Sequence, residues 1–225
     1  ESVNENRPQA RDRNILFDAQ ESVKQLQTGV ALDWNTAAGT VKSSLYYSNR
    51  DFVGLLPFTD GGYVELSRDF AGLELSLNSR FNEFEWMLGA SAQSQADDRK
   101  RFQNNEGVKG EMAMDQLESF DSYGIFALGS LNKSKYSLQA GVRFDVHQIS
   151  LDDNFGLDQQ YVDYSSRLSA YSPNIGFIYN LNKNDELYAN YGSSYETPSL
   201  SELSANTDGS GFNNQFFIWC FKFNY

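Results

Sequence analysis

Apolar and polar residues alternate along most of this chain, and the alternation returns at intervals. The cleanest stretch is Tyr136-Ser137-Leu138-Gln139-Ala140-Gly141-Val142-Arg143-Phe144-Asp145-Val146-His147, with even positions apolar and odd positions polar or Gly. On a helix those apolar residues would scatter around the circumference, whereas on a strand they share one face. Val30, Leu32 and Trp34 repeat the pattern with Ala31 and Asp33 opposite. So do Leu73, Leu75 and Leu77 against Glu74, Ser76 and Asn78, and Phe84, Trp86, Leu88 and Ala90 against Glu85, Met87, Gly89 and Ser91. Later, Ile175, Phe177, Tyr179 and Leu181 oppose Asn174, Gly176 and Asn180, and Leu187, Ala189 and Tyr191 oppose Tyr188, Asn190 and Gly192.

The connections alternate too. Short segments rich in Asn, Lys, Gly or Ser, at Asn35–Gly39, Asn78–Asn82, Asn132–Lys135 and Asn182–Asp185, predict tight turns. Between them lie polar stretches at Arg50–Gly62, Ala96–Asp115, Ser150–Ser166 and after Glu196, which predict long loops. The expected elements are about eight strands of roughly ten or more residues, forming hairpins over 24–50, 63–95, 117–151 and 167–194. This predicts an all-β fold: a partial antiparallel transmembrane β-barrel with short periplasmic turns and long extracellular loops. A soluble β-sandwich also alternates, but its strands rarely exceed about ten residues, and the polar faces here carry Ser, Gln, Asn, Arg and Asp as a wet lumen would.

Composition sharpens this picture. The 225 residues include 13 Tyr, 17 Phe and 3 Trp, yet average hydropathy is low. A barrel accounts for both, because only alternate residues face lipid and aromatic girdles line the two interfaces. No apolar run is long enough for a membrane-spanning helix. A net charge of -12 disfavours nucleic acid. One cysteine, Cys220, excludes an internal disulfide framework, and one histidine, His147, makes a histidine metal cluster or a nucleophile–histidine hydrolase a poor expectation.

Near the end of the alternating region, Leu187-Tyr188-Ala189-Asn190 runs on to Tyr195-Glu196-Thr197-Pro198-Ser199-Leu200-Ser201-Glu202-Leu203. This resembles a strand-to-loop signature of TonB-dependent outer-membrane receptors. Tyr171-Ser172-Pro173-Asn174-Ile175-Gly176 is similar to that family's Ser-Pro strand entry, and Ala140-Gly141-Val142-Arg143-Phe144-Asp145 to its Ala-Gly-x-Arg-aromatic-Asp strand. The resemblance covers about residues 117–205 by motif and 13–116 by rhythm alone. It implies a bacterial outer-membrane location, a barrel of about 22 strands filled by a plug domain, and energy-dependent uptake of a scarce ligand such as a ferric siderophore. The implied partners are outer-membrane lipid and lipopolysaccharide, the TonB complex acting through the plug, and a small metal chelate. No cofactor is implied.

No plug is recognisable, so residues 13–213 are expected to be part of the barrel domain and 214–225 an atypical tail, truncated or frame-shifted. A small autonomous barrel with an adhesive or structural role is the rival reading. A barrel enzyme would need a nucleophile near His147, for which Ser137 and Ser150 offer no motif. Arg99, Lys100 and Arg101 form a basic cluster expected in the second long loop, where it could steer an anionic chelate or touch lipopolysaccharide. Asp97, Asp98, Asp152, Asp153, Asp158 and Asp163 are expected in loops as a solvated acidic surface, and Pro198 is expected to end a ladder.

Overall fold

The computed structural model describes residues 11–155 and 164–197 and, for Ile218–Lys222, the backbone. A five-residue helix α1 (Asp12–Leu16) precedes β1 (Gln20–Thr36), β2 (Gly39–Leu55), β3 (Tyr63–Phe81), β4 (Phe84–Asn105), β5 (Val108–Asn132), β6 (Tyr136–Asp153), β7 (Tyr164–Asn180), β8 (Glu186–Glu196) and β9 (Ile218–Lys222). All nine described strands form one antiparallel sheet in chain order. The four expected hairpins are present, with the turn expected at Asn78–Asn82 reduced to Asn82-Glu83 because β3 stays paired to Phe81. At the first turn Thr36 Oγ1 donates to Gly39 O at 2.8 Å; at the last, Asn182 Oδ1 accepts the amides of Asn184 and Asp185. Among the described residues β1 and β9 do not pair, so the sheet is open.

Register places like with like. One row across six ladders reads Leu32, Ser43, Leu75, Ala90, Ile125, Phe144, Tyr171, and the next reads Trp34, Val41, Leu77, Leu88, Ala127, Val142, Pro173. A one-residue slip would turn each strand over, so the apolar pattern itself specifies this register. These apolar residues are the exposed ones: Leu32 is 63% and Ile125 61% accessible, whereas Asp97 and Glu118 on the other face are at 2% and 1%. A soluble sandwich buries its apolar face, so this sheet is built to be solvated by hydrocarbon.

The apolar belt has a sharp outer edge. The row Tyr47, Ala71, Ser94, Asp121, Gln148 is mostly polar, and beyond it the same face carries Asp51, Ser67, Asp98 and Asp152. From Phe84 to Gln93, β4 spans the belt in about ten residues, which is what a bilayer requires of a tilted strand. The strands then continue well past it, up to 25 residues in β5.

That continuation corrects the expected loops. Residues 96–115 are not a loop but the outer half of the β4–β5 hairpin, closed by the two-residue turn Glu106-Gly107 with φ of 53° and 92°. Likewise β2 runs on to Leu55 and β6 to Asp153. Outside the membrane both faces of a strand are wet, so the hydrophobic alternation disappears although the ladder persists.

Pro173 has a local consequence. The β7–β8 ladder stops at Asn174–Gly192, next to this residue without an N–H, while the β6–β7 ladder passes through it. The outer end of β8 is thereby released from β7.

Candidate functional site

The polar face, which a closed barrel turns inward, gathers its charge just beyond the belt. Arg50, Arg68, Asp97 and Glu118 are successive partners along one row from β2 to β5, and Arg99 and Arg101 follow Asp97 on the same face of β4. Arg68 grips Asp97 with two bonds, Nε to Oδ1 at 2.8 Å and Nη2 to Oδ2 at 2.6 Å, and Gln95 adds a third at 3.1 Å. This carboxylate stabilises the Arg68 cation and raises its pKa above the usual guanidinium value, outweighing the opposing effect of burial.

Glu118 is held differently. Among the described residues its one ion pair is to Arg99 Nη2 at 3.2 Å, and neither of its oxygens has a well-formed hydrogen bond. Burial raises its pKa above the ordinary carboxyl value, Arg99 opposes that rise, and Asp97 adds to it. Around it, the Nε atoms of Arg50, Arg99 and Arg101 are buried without hydrogen-bond partners among the described residues. Four guanidiniums therefore surround two carboxylates, leaving surplus positive charge and unused donors in an otherwise acidic chain.

The contiguous basic cluster is thus divided. Lys100 lies on the outward face, bonded to Asp98 at 3.0 Å and 3.9 Å from Asp115, and only Arg99 and Arg101 join the inward cluster. The expectation that all three sit in a loop is corrected: they are strand residues of β4. Asp97, expected as a solvated loop carboxylate, is also a strand residue and is buried in an ion pair. Asp98 is half-buried beside Lys100 and Asp152 is exposed, while Asp158 and Asp163 lie outside the described residues.

Above the cluster, Asn104 is fully buried at 0% exposure. Its Nδ2 donates to Phe17 O at 3.0 Å and Leu56 O at 2.9 Å, while Oδ1 accepts the Gly107 amide at 2.8 Å. One side chain therefore joins the segment entering β1, the β2–β3 connection and the β4–β5 turn. Phe17, Leu55 and Phe102 are buried around this junction, and the Lys109 ammonium sits 3.7 Å from the Phe102 ring centroid.

Lower on the inward face, Arg143 bonds Asp145 through Nε at 2.8 Å and Ser91 at 2.9 Å, joining β6 to β4. Gly124 makes this possible, since a Cβ there would lie 2.2 Å from Arg143 Nη2. His147 is half-buried between Phe120 and Tyr195, at 5.5 and 5.9 Å between ring centroids. Ser150 Oγ lies 2.6 Å from Ser119 Oγ, and Ser137 lies at the opposite end of β6, so neither serine is paired with His147. Among the described residues no cluster of three metal-ligating side chains occurs.

Of the motif residues, Leu187 and Ala189 lie on the apolar face, Tyr188 and Asn190 on the polar face, and Tyr195 reaches His147 from the released end of β8. Glu196 closes β8 in the backbone, and Pro198, Leu200, Glu202 and Leu203 lie outside the described residues. Sequence reasoning missed Arg50, Arg68, Glu118 and Asn104. The first three become visible only once cross-strand register is known.

A family model described as "TonB dependent receptor-like, beta-barrel" matches residues 2–217. Among solved structures, the copper transporter OprC superposes with a TM-score of 0.65 at 16% identity, over 82% of this chain and 32% of that one. The siderophore receptor PiuA from Acinetobacter baumannii gives 0.63 at 11%, over 80% and 33%, and the unliganded ferric citrate transporter FecA 0.58 at 14%, over 79% and 28%. At these identities the likeness is one of fold, and the chain spans about a third of the length of the solved structures it matches.

Proposed function

The chain belongs to the TonB-dependent receptor-like β-barrel family, whose members sit in the bacterial outer membrane, and from that premise we propose that it forms barrel wall of an energy-dependent importer for an anionic metal chelate such as a ferric siderophore. Energy would come from the TonB complex acting through a plug domain, and lipopolysaccharide would contact the outward collar of Asp51, Asp98 and Lys100. Similar structures named as copper, siderophore and ferric citrate transporters support the substrate class.

One observation carries the assignment to this chain's own residues: Arg99 and Arg101 point inward just above the belt with buried Nε donors that lack partners among the described residues. Ligands that enter a barrel from outside pass this level, and positive charge lining a water-filled channel with low-dielectric walls raises the local concentration of anions. Steering by Arg99 and Arg101 is distinct from any role of Lys100, which faces outward and is neutralised by Asp98.

The test is ligand binding and uptake by cells carrying the protein, using a panel of ferric and cupric chelates. Arg99→Gln combined with Arg101→Gln is expected to weaken the bound chelate at least about tenfold, because a charge-assisted hydrogen bond contributes about 1.5–3 kcal/mol. Lys100→Gln is expected to leave it unchanged. Equal affinities in all three proteins would refute the reading.

A further inference from the structure

Asp97 and Glu118 stand opposite each other in register, yet the protein satisfies one and leaves the other wanting. Among the described residues Asp97 receives three hydrogen bonds, whereas Glu118, at 1% exposure, has no well-formed one and touches Arg99 through a single nitrogen at 3.2 Å. Geometry explains the difference. Arg68 lies directly across the ladder from Asp97, whereas Glu118 must reach diagonally, because its direct partner is Asp97 and Arg99 is two residues further along β4. A buried carboxylate without hydrogen bonds is costly, and so are the buried guanidinium nitrogens beside it. Donors and acceptor therefore coexist unsatisfied in one place.

We infer that Glu118 is a resident counter-anion of the arginine cluster, which an incoming oxyanion displaces from Arg99. This rests on the reading of the cluster as an anion-capturing site and adds a specificity filter to it. Arg99 and Arg101 are alternate residues on one face, roughly 7 Å apart along the strand. A ligand bearing two or more carboxylate, phosphate or sulfonate groups at that spacing engages both and outcompetes the single contact of Glu118. A lone monovalent anion gains only what Glu118 already supplies, so Glu118 selects for multiply charged ligands.

The experiment measures binding of a fluorescent naphthalene trisulfonate, whose charge does not titrate, to the protein in outer-membrane vesicles. Glu118→Gln keeps the side-chain shape and removes the competitor, so binding is expected to tighten about tenfold or more, while Arg99→Gln with Arg101→Gln abolishes it. Loss in the arginine variant with no tightening in Glu118→Gln would overturn the counter-anion while leaving the anion site intact. No binding to either the wild type or Glu118→Gln would overturn both. If Glu118→Gln fails to assemble, the pH profile of the unaltered protein decides. The charged groups facing Glu118 are Asp97, Arg99 and Arg101 on β4, Arg68 on β3, Arg50 at the far end of the same row on β2, and Asp153 farther along the same face of β6. Protonating Glu118 removes the competitor, so binding is expected to strengthen as pH falls through its raised pKa. A flat profile would overturn the inference.

Discussion

Arg68 and Asp97 meet side-on across the β3–β4 ladder, two parallel bonds joining a guanidinium to a carboxylate that has lost all contact with solvent. The pair lies beyond the apolar belt, where strands no longer gain from burying hydrocarbon-facing side chains, and it helps keep the extended ladder in register. Removing one partner leaves an uncompensated buried charge. Arg68→Met is expected to cost about 3 kcal/mol, the low end of the range for broken buried pairs because Arg68 is itself partly exposed. The double variant Arg68→Met with Asp97→Leu should recover most of that loss. Urea unfolding in detergent, read by the heat-modifiable shift in electrophoretic mobility, measures both. A double variant as unstable as the single one would remove the ion pair as the cause.

The two faces of β6 give a direct topological prediction. In a Cys220→Ser background, a cysteine in place of Leu138 should be protected by lipid from a polar thiol reagent, and one in place of Gln139 should react from the aqueous interior. A cysteine at Asp98, on the outward collar, should react with an impermeant reagent added to whole cells. Labelling at Leu138 without labelling at Gln139 would invert the assigned faces.

What the sequence revealed and what it hid divide at the edge of the membrane. Within the belt, the alternation from Tyr136 to His147 fixes strand, face and register, because hydrocarbon outside and water inside demand opposite residues at successive positions. Beyond the belt that demand ends. The run from Asp97 to Arg101 has no period, and a charged run reads as a loop when its ladder partners are unknown. Arg99, Lys100 and Arg101 are neighbours in sequence but point alternately to opposite faces, so the apparent cluster is two environments. Arg68 and Glu118 carry no local signal, since each matters through a residue on another strand. The family motif at Leu187–Asn190 was legible, whereas the contact of its Tyr195 with His147 was not, because it joins β8 to β6 beyond the point where the β7–β8 ladder ends.

Asn104 offers a sharper test of the outer junction. Asn104→Ala leaves the carbonyls of Phe17 and Leu56 and the Gly107 amide without their side-chain partner, at a cost of about 1–3 kcal/mol for a buried group left unpaired. The loss is local, because the belt strands below make none of these contacts. Protease added outside cells should cut the variant within 56–62 or 105–108, with the barrel still assembled and heat-modifiable. Resistance equal to wild type would show that the surrounding apolar contacts of Phe17, Leu55 and Phe102 suffice to hold the junction.

The turn that closes the same hairpin carries a residue poorly suited to it. Glu106 and Gly107 both have positive φ, the pattern of a two-residue turn that favours Asn-Gly. Glutamate in the left-handed region costs roughly 1 kcal/mol, and asparagine adopts that region readily. Glu106→Asn should therefore stabilise the outer hairpin, slowing hydrogen exchange at Asn105 and Val108. Gly107→Ala should do the reverse, since its φ of 92° disfavours any side chain and the new Cβ would lie 2.9 Å from Asp18 Cβ. The Ala variant would also push the segment before β1 away from Asn104, so faster exchange should extend to Phe17 and Asp18. Unchanged exchange in both variants would mean that Asn104 and the β4–β5 ladder, rather than the turn, hold the hairpin closed.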